Sequence, residues 1–244
     1  MSELHAIVLA GGRGTRLRPY TTVLPKPLVP IGDEFSILEI VLRQLRQSGF
    51  RRATLAIGHQ GALIRAVVGD GSQWGIAVDY ALDEKPLGTM GPLLPILDRL
   101  PDDFLVLNGD ILTDLDFAAL LRVHSASAAP LTIATYQREV VVDFGVLEID
   151  GESVVGFHEK PRLGYSVSMG VYGLSRATLA GYRSGQPLGF DQLVTDLLRA
   201  GRHPASYPFD GYWLDIGRPD DYDRANSDFE SMRNRLLPPS HTRG

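Results

Sequence analysis

Five short apolar runs recur through the first 136 residues of the chain: HAIVLA (5–10), ATLAIG (53–58), IAVDY (76–80), FLVLNGD (104–110) and LTIATY (131–136). Several are apolar at consecutive positions, as a strand covered on both faces must be; a strand wet on one face would alternate. Segments of helical period lie between them. SILEIVLRQLRQSG (36–49) is the clearest, because Ser36 and Glu39 have the spacing of a capping box, Ile37, Ile40, Val41 and Leu45 share one face, and Gly49 follows as terminator. Further helices are expected near 60–68, 91–99 and 116–127. This alternation confines the chain to an α/β fold: a doubly wound, mostly parallel, Rossmann-like sheet whose ligands gather beyond the carboxyl ends of the strands.

The second half has a different texture. GVLEI (145–149), SVVGFH (153–158) and SMGVYGL (168–174) are closely spaced and separated by Gly, Asp and Pro, and are expected as antiparallel strands added to the same sheet. Helices return at 190–200 and 219–235. With 244 residues, 44% of them apolar, and no linker-like stretch, one domain over 1–237 is expected, with PPSHTRG (238–244) as a disordered tail.

Charge and composition exclude several functions. The formal net charge of −5 supplies no global positive field toward nucleic acid or anionic lipid, so any bound anion must be held by local charge. The absence of cysteine removes disulfides, thiolate metal sites and thiol nucleophiles together. MSELH carries no basic lead into an apolar segment, and no apolar run approaches 18 residues. A soluble, cytoplasmic protein without membrane or nucleic-acid partners is expected; a homo-oligomer stays open.

GGRGTRLRP (11–19) follows directly on the first apolar run. A loop leaving the carboxyl end of a buried strand presents consecutive backbone N–H groups, and glycines let them approach a phosphate without a Cβ in the way. The familiar nucleotide fingerprints fail, since a Walker A loop requires Gly-Lys-Ser/Thr where Gly14-Thr15-Arg16 stands, and a dinucleotide loop requires a glycine at Leu17. A glycine pair here also suits a plain tight turn. Lys26, between Pro25 and Pro27, lies on a stiffened extended stretch and has lost freedom before any ligand arrives.

The whole stretch GGRGTRLRPYTTVLPKP resembles the signature of the sugar-1-phosphate nucleotidylyltransferases, in outline G-G-x-G-T-R-L-x-P-x-T followed by K-P. LGTMGP (87–92), LNGD (107–110), DFGV (143–146), EKP (159–161) and WLDIG (213–217) resemble that family's later motifs, in order. The resemblance implies a nucleotide-binding part over roughly 1–115 and a sugar-phosphate-binding part over roughly 116–237. Leu9, Gly11, Gly12, Gly14, Thr15 and Arg16 would cradle the triphosphate, with Gly88 and Thr89 beside base and ribose. Arg16 would meet the leaving pyrophosphate and Lys26 the α-phosphate, with Asp110 as the third catalytic residue. Asp110 and Asp215 would hold Mg²⁺, which takes few protein ligands. Asn108, Gly145, Glu159 and Lys160 would serve the sugar phosphate, while Arg13 and Arg18 suit either the site or solvated surface. The implied partners are an NTP and a sugar 1-phosphate.

The loop spelled PLGTMGP (86–92) looks closest to the mannose-1-phosphate and heptose-1-phosphate guanylyltransferases, which favours GTP; dTTP, UTP, CTP or ATP with glucose 1-phosphate is the alternative. The segment after WLDIG is too short for the C-terminal β-helix of some relatives, so neither acetyl transfer nor control through such a domain is expected. Asp114-Leu115-Asp116 has the D-x-D spacing of metal-dependent glycosyltransferases, yet Asp116 precedes FAALLRV as a helix N-cap. Replacing Asp114 is then expected to spare the chemistry at the cost of a cap, about 1 kcal/mol. A non-catalytic nucleotide-sugar sensor is the remaining alternative.

Overall fold

The computed structural model describes residues 3–58, 60–82, 85 and 87–238. The first half runs β1 (His5–Leu9), β2 (Pro30–Ile31), β3 (Phe35–Ser36), α1 (Ile37–Gln47), β4 (Arg52–Ile57), α2 (Gly61–Val68), β5 (Ala77–Leu82) and β6 (Asp103–Asn108). Then follow β7 (Ile111–Thr113), α3 (Phe117–Ser125), β8 (Leu131–Val141), β9 (Val146–Asp150), β10 (Ser153–His158), β11 (Arg162–Ser175) and α4 (Arg176–Leu179). The chain closes with α5 (Phe190–Arg199), β12 (Ala205–Phe209), β13 (Trp213–Asp215) and α6 (Pro219–Leu236).

Seven strands form the central sheet in the order β12-β8-β11-β6-β1-β4-β5. β1 is parallel to both β4 and β6, β4 to β5, and β12 to β8, so β11 alone runs against its neighbours. From β1 the chain winds outward to β4 and β5, then returns to β6 on the other flank. That reversal opens the crevice where such sheets bind ligands.

Helices cover both faces because the central strands are apolar on both. Val8, Leu55 and Leu107 bury against α1, α2 and α3, whereas Ile7, Ala56 and Val106 pack against the 91–99 segment, α4 and α5. A third cluster joins Leu17, Ile31, Ile37, Leu214, Ile216 and Phe229, which ties α6 and the glycine-rich loop to one another. α1 begins as its sequence dictates, with the Ser36 hydroxyl accepting from Glu39 N at 3.1 Å. Glu39 does not reach back to close the box; it takes hydrogen bonds from Arg43 and Trp74.

Three expectations are corrected. β9 and β10 pair only with each other, as a separate ladder beyond the end of the sheet, and only β11 joins it antiparallel. The 91–99 segment is a 3₁₀ helix, with Leu93 N bonded to Met90 O, because Pro92 and Pro95 lack the N–H groups an α-helix would use. Lys26 opens a 3₁₀ turn, Lys26–Leu28, rather than lying on extended chain. Most of the expected tail, 239–244, lies outside the described residues, as does Pro86.

Candidate active site

β1 and β6 lie side by side with Leu9 opposite Asn108, so the glycine-rich loop and the Asn108-Gly109-Asp110 turn leave the sheet together. Gly109 N donates to Leu9 O at 2.9 Å, and a Cβ on Gly109 would meet that same oxygen at 3.0 Å, so a side chain there would spread the two segments. Beyond them opens a cleft of about 750 Å³. Leu9, Gly11, Gly12, Gly88, Thr89, Asn108 and Asp110 of the expected site line it. Arg13 and Lys85 line it too, putting two cations on a chain of net negative charge. Lys85 escaped the sequence reading because a single lysine before Leu-Gly-Thr carries no pattern.

The loop is fixed at its far end. Gly14 sits at φ +60°, Thr21 Oγ1 donates to Gly14 O at 2.7 Å, and Leu17 is fully buried in the third cluster. A Cβ on Gly14 would meet Lys26 Cβ at 3.1 Å, so glycine there lets the loop close over the lysine stem. Thr15 and Arg16 remain exposed on the intervening turn, and Arg18 is exposed just after it.

Lys26 is 7% exposed and its Nζ lies 2.6 Å from Asp110 Oδ2. Asp215 reaches the same place through the short β7–β13 ladder, in which it faces Ile111, while Ile216 N bonds to Asp110 O. Burial pushes the Asp215 carboxyl pKa up, the neighbouring Asp110 adds to this, and Lys26 and Arg16 hold it partly down. Arg16 is close by: a Cβ on Gly217 would stand 3.8 Å from Asp215 Oδ2 and 3.9 Å from Arg16 Nη2. Arg16, Lys26, Asp110 and Asp215 thus converge from three distant segments, the first of which supplies both cations. Among the described residues no group of three or more His, Asp or Glu side chains has metal-site geometry. Two oxygen-donor carboxylates, one of them desolvated beside the other, still fit a hard divalent cation that keeps most of its waters.

The 87–91 loop is fastened to the strand of chain before α5. Leu188 N donates to Leu87 O, Met90 N and Gly91 N donate to Leu188 O, and Thr89 Oγ1 accepts from Phe190 N. Gly88, at φ +77°, leaves room for Leu188 O, which a Cβ would meet at 2.7 Å. Gly145, Glu159 and Lys160 are not among the cleft-lining residues. They flank the β9–β10 ladder: the Phe157 ring occupies the space beside Gly145, and Lys160 pairs with Asp143 at 3.0 Å. Asn108, by contrast, lies against the backbone of Gly170 in β11.

The D-x-D residues have structural partners. Asp116 caps α3 by accepting from Ala119 N at 2.9 Å. Asp114 is not a cap: it accepts from Tyr212 N at 2.7 Å and pairs with Arg235, so the expected loss for its removal is revised below. Of the histidines, His5 and His124 are core residues bonded to Thr54 and Thr132.

A family model described as nucleotidyl transferase matches residues 5–232. The chain belongs to the nucleotidyl transferase family. This nucleotidyl transferase is 32% identical over 232 residues to a Mannose-1-phosphate guanylyltransferase of Mycobacterium tuberculosis, covering 93% of this chain and 64% of that protein. It is also 32% identical over 240 residues to a UTP--glucose-1-phosphate uridylyltransferase of Synechocystis, covering 90% and 61%. It therefore spans a little under two thirds of the curated relatives it matches. HddC from Yersinia pseudotuberculosis superposes with a TM-score of 0.72 at 26% identity, covering 93% of this chain and 99% of that one. The same protein complexed with GMP-PN gives 0.71 at 26% identity, with the same coverage.

Proposed function

We propose that this nucleotidyl transferase moves a nucleoside monophosphate from an NTP to a sugar 1-phosphate, releasing pyrophosphate. The observation that carries the reading is the meeting of Arg16, Lys26, Asp110 and Asp215 beside a cleft walled by the glycine-rich loop and Gly88-Thr89. A phosphate oxygen of the sugar attacks the α-phosphorus, and the bond to the β-phosphate oxygen breaks in line. The obstacle is repulsion, since two unit charges about 5 Å apart at an effective dielectric near 20 repel by roughly 3 kcal/mol, and both substrates carry several. The protein then acts by position and countercharge.

In this reading the backbone of Gly11, Gly12 and Gly14 faces the triphosphate, Arg16 takes charge at the departing pyrophosphate, and Lys26 takes it at the α-phosphate. Asp110 and Asp215 hold Mg²⁺, which neutralises phosphate oxygens when bound. Gly88 and Thr89 border base and ribose, with Asn108, Gly145, Glu159 and Lys160 on the sugar side. The division at about residue 115 within one domain belongs to the same proposal. GTP is favoured because relatives are named mannose-1-phosphate guanylyltransferases and a solved relative, HddC, is complexed with GMP-PN. No helix of the described residues is long and apolar enough to cross a membrane, and the reading is of a cytoplasmic enzyme independent of nucleic acid.

The test is pyrophosphate release across five NTPs and a panel of sugar 1-phosphates, with and without Mg²⁺. Turnover of GTP with a mannose-like 1-phosphate is expected; silence across the whole matrix refutes the reaction, and turnover with another base refutes the choice of GTP.

A further inference from the structure

Four residues stand in one row across the sheet where the cleft opens: Asn108 of β6 is opposite Leu9 of β1, Leu9 opposite Ala56 of β4, and Ala56 opposite Ala81 of β5. Neighbouring strands lie about 4.8 Å apart, so the row spans about 14 Å. Asp110, two residues beyond Asn108, meets Lys26 at one side of it. Lys85, four residues beyond Ala81 and exposed, enters the cleft lining from the β5 side. Between the two the lining changes in character. Gly11, Gly12 and Arg13 follow β1, whereas Ala56, Ile57 and Leu87 give the β4 and β5 side an apolar surface. A nucleotide has the same asymmetry, with charge at its phosphates and, at its other end, a flat base with apolar faces and a polar edge.

We infer that Lys85 selects the base, its ammonium donating to O6 and N7 of guanine. The assignment rests on the nucleotidyl-transfer reading, because an α-phosphate at Lys26 and Asp110 is what sends the base past β1 toward β4 and β5. Of the ionisable residues lining the cleft among the described residues, Arg13 and Asp110 follow β1 and β6, and Lys85 alone follows β5. The phosphates have Arg16, Lys26 and Arg13 on their own side, which leaves Lys85 to the edge of the base. Guanine presents O6 and N7 as neighbouring acceptors, whereas adenine keeps N7 and replaces O6 with an amino donor. Lysine has three donors and no acceptor, so the amino group finds no partner, and a base that leaves polar groups unmatched is rejected strongly. Lys85 thus favours 6-oxopurines as a class and disfavours ATP. The motif LGTMGP begins only at Leu87, so this choice is made outside it.

Isothermal titration of the full-length chain with GTP, ITP, ATP and UTP in the presence of Mg²⁺ tests this without turnover. ITP keeps O6 and N7 but lacks the 2-amino group. The parent should bind GTP and ITP within about threefold of one another and ATP about 10-fold or more weakly. Lys85→Met should weaken GTP and ITP by about 10- to 100-fold while ATP changes by less than about threefold, and Lys85→Arg, which keeps the donors, should retain the preference. Because the ratio of GTP to ATP is read within each variant, a loss of folded protein does not imitate the result. Equal weakening of GTP and ATP in Lys85→Met places the ammonium on the phosphates and overturns the inference. A GTP preference that survives Lys85→Met, ITP bound as weakly as ATP, or a parent that binds ATP or UTP as tightly as GTP also overturns it, and each leaves nucleotidyl transfer standing. Failure of every NTP to bind, with silence in the pyrophosphate assay, overturns both.

Discussion

Lys26 Nζ and Asp110 Oδ2 lie 2.6 Å apart although 84 residues separate them in the chain. The lysine opens a short turn pinned by its flanking prolines, and the aspartate lies one glycine beyond the last residue of β6. In the proposed reaction, an ammonium and a carboxylate held this way would put a phosphate-binding cation and a cation-binding oxygen at one point. A reaction limited by charge repulsion requires that juxtaposition.

Lys26→Ala is expected to lower kcat by about 100-fold or more while leaving the KM for NTP within a few-fold, because charge that develops in the transition state is what the ammonium opposes. Steady-state kinetics on the best pair from the substrate matrix decides this. An equal effect on kcat and KM in opposite senses, or near-normal turnover, would remove Lys26 from its assigned role.

Asp215→Asn separates chemistry from stability. Burial and the Asp110 carboxylate both push the Asp215 pKa up, so the ionised form is a cost to the folded state at neutral pH, and stability falls as pH rises through that raised value. Asparagine keeps the shape without the charge. Urea unfolding at pH 7 in the absence of divalent cation should show the variant more stable than the parent, with turnover reduced at least 100-fold. A variant both less stable and active would contradict the paired-carboxylate reading.

What was legible in the sequence was mostly local. The α1 cap at Ser36 and the α3 cap at Asp116 are made within three residues, and buried runs such as that of β1 are apolar at consecutive positions. Partners distant in sequence were not legible. Alternation in 145–158 reveals strands but not which strand they join, and β12 was missed because Pro208 interrupts its pattern, which an edge strand tolerates. The glycine-rich loop, Lys26, Asp110 and Asp215 could be picked out because a family signature names them, whereas Lys85 entered only through the geometry of the cleft.

Asp114 illustrates the same limit and carries a third prediction. Its side chain bridges the backbone N–H of Tyr212 and the guanidinium of Arg235, fastening the end of β7 to the approach of β13 and to α6. Asp114→Ala removes a charge-assisted hydrogen bond from a mostly buried position and should cost about 2 kcal/mol rather than the 1 kcal/mol of an exposed cap. Thermal melting measures this. Because β13 ends in Asp215, the Mg²⁺ concentration for half-maximal turnover should also rise, while Asp116→Ala should lower the melting temperature without that change.

His5 predicts how the fold responds to acid. It is 7% exposed at the start of β1, hydrogen-bonded to Thr54 at 2.8 Å, and burial with the nearby Arg52 lowers its pKa to about 4, against the partial opposition of Asp79 and Glu3. The unfolded chain takes up this proton near 6.5, so between 6.5 and 4 the unfolded state binds more protons than the folded one. Stability is therefore fully present above 6.5 and lost as pH falls toward 4. At about 1.4 kcal/mol per pKa unit, urea unfolding should show roughly 2 kcal/mol less stability at pH 5 than at pH 7.5 from this residue. His124, buried and likewise lowered, acts in the same direction, so the measurement compares the parent with His5→Asn. The variant should be less stable at pH 7.5 but lose less on acidification; parallel curves would show that His5 takes up its proton in the folded state as readily as in the unfolded one.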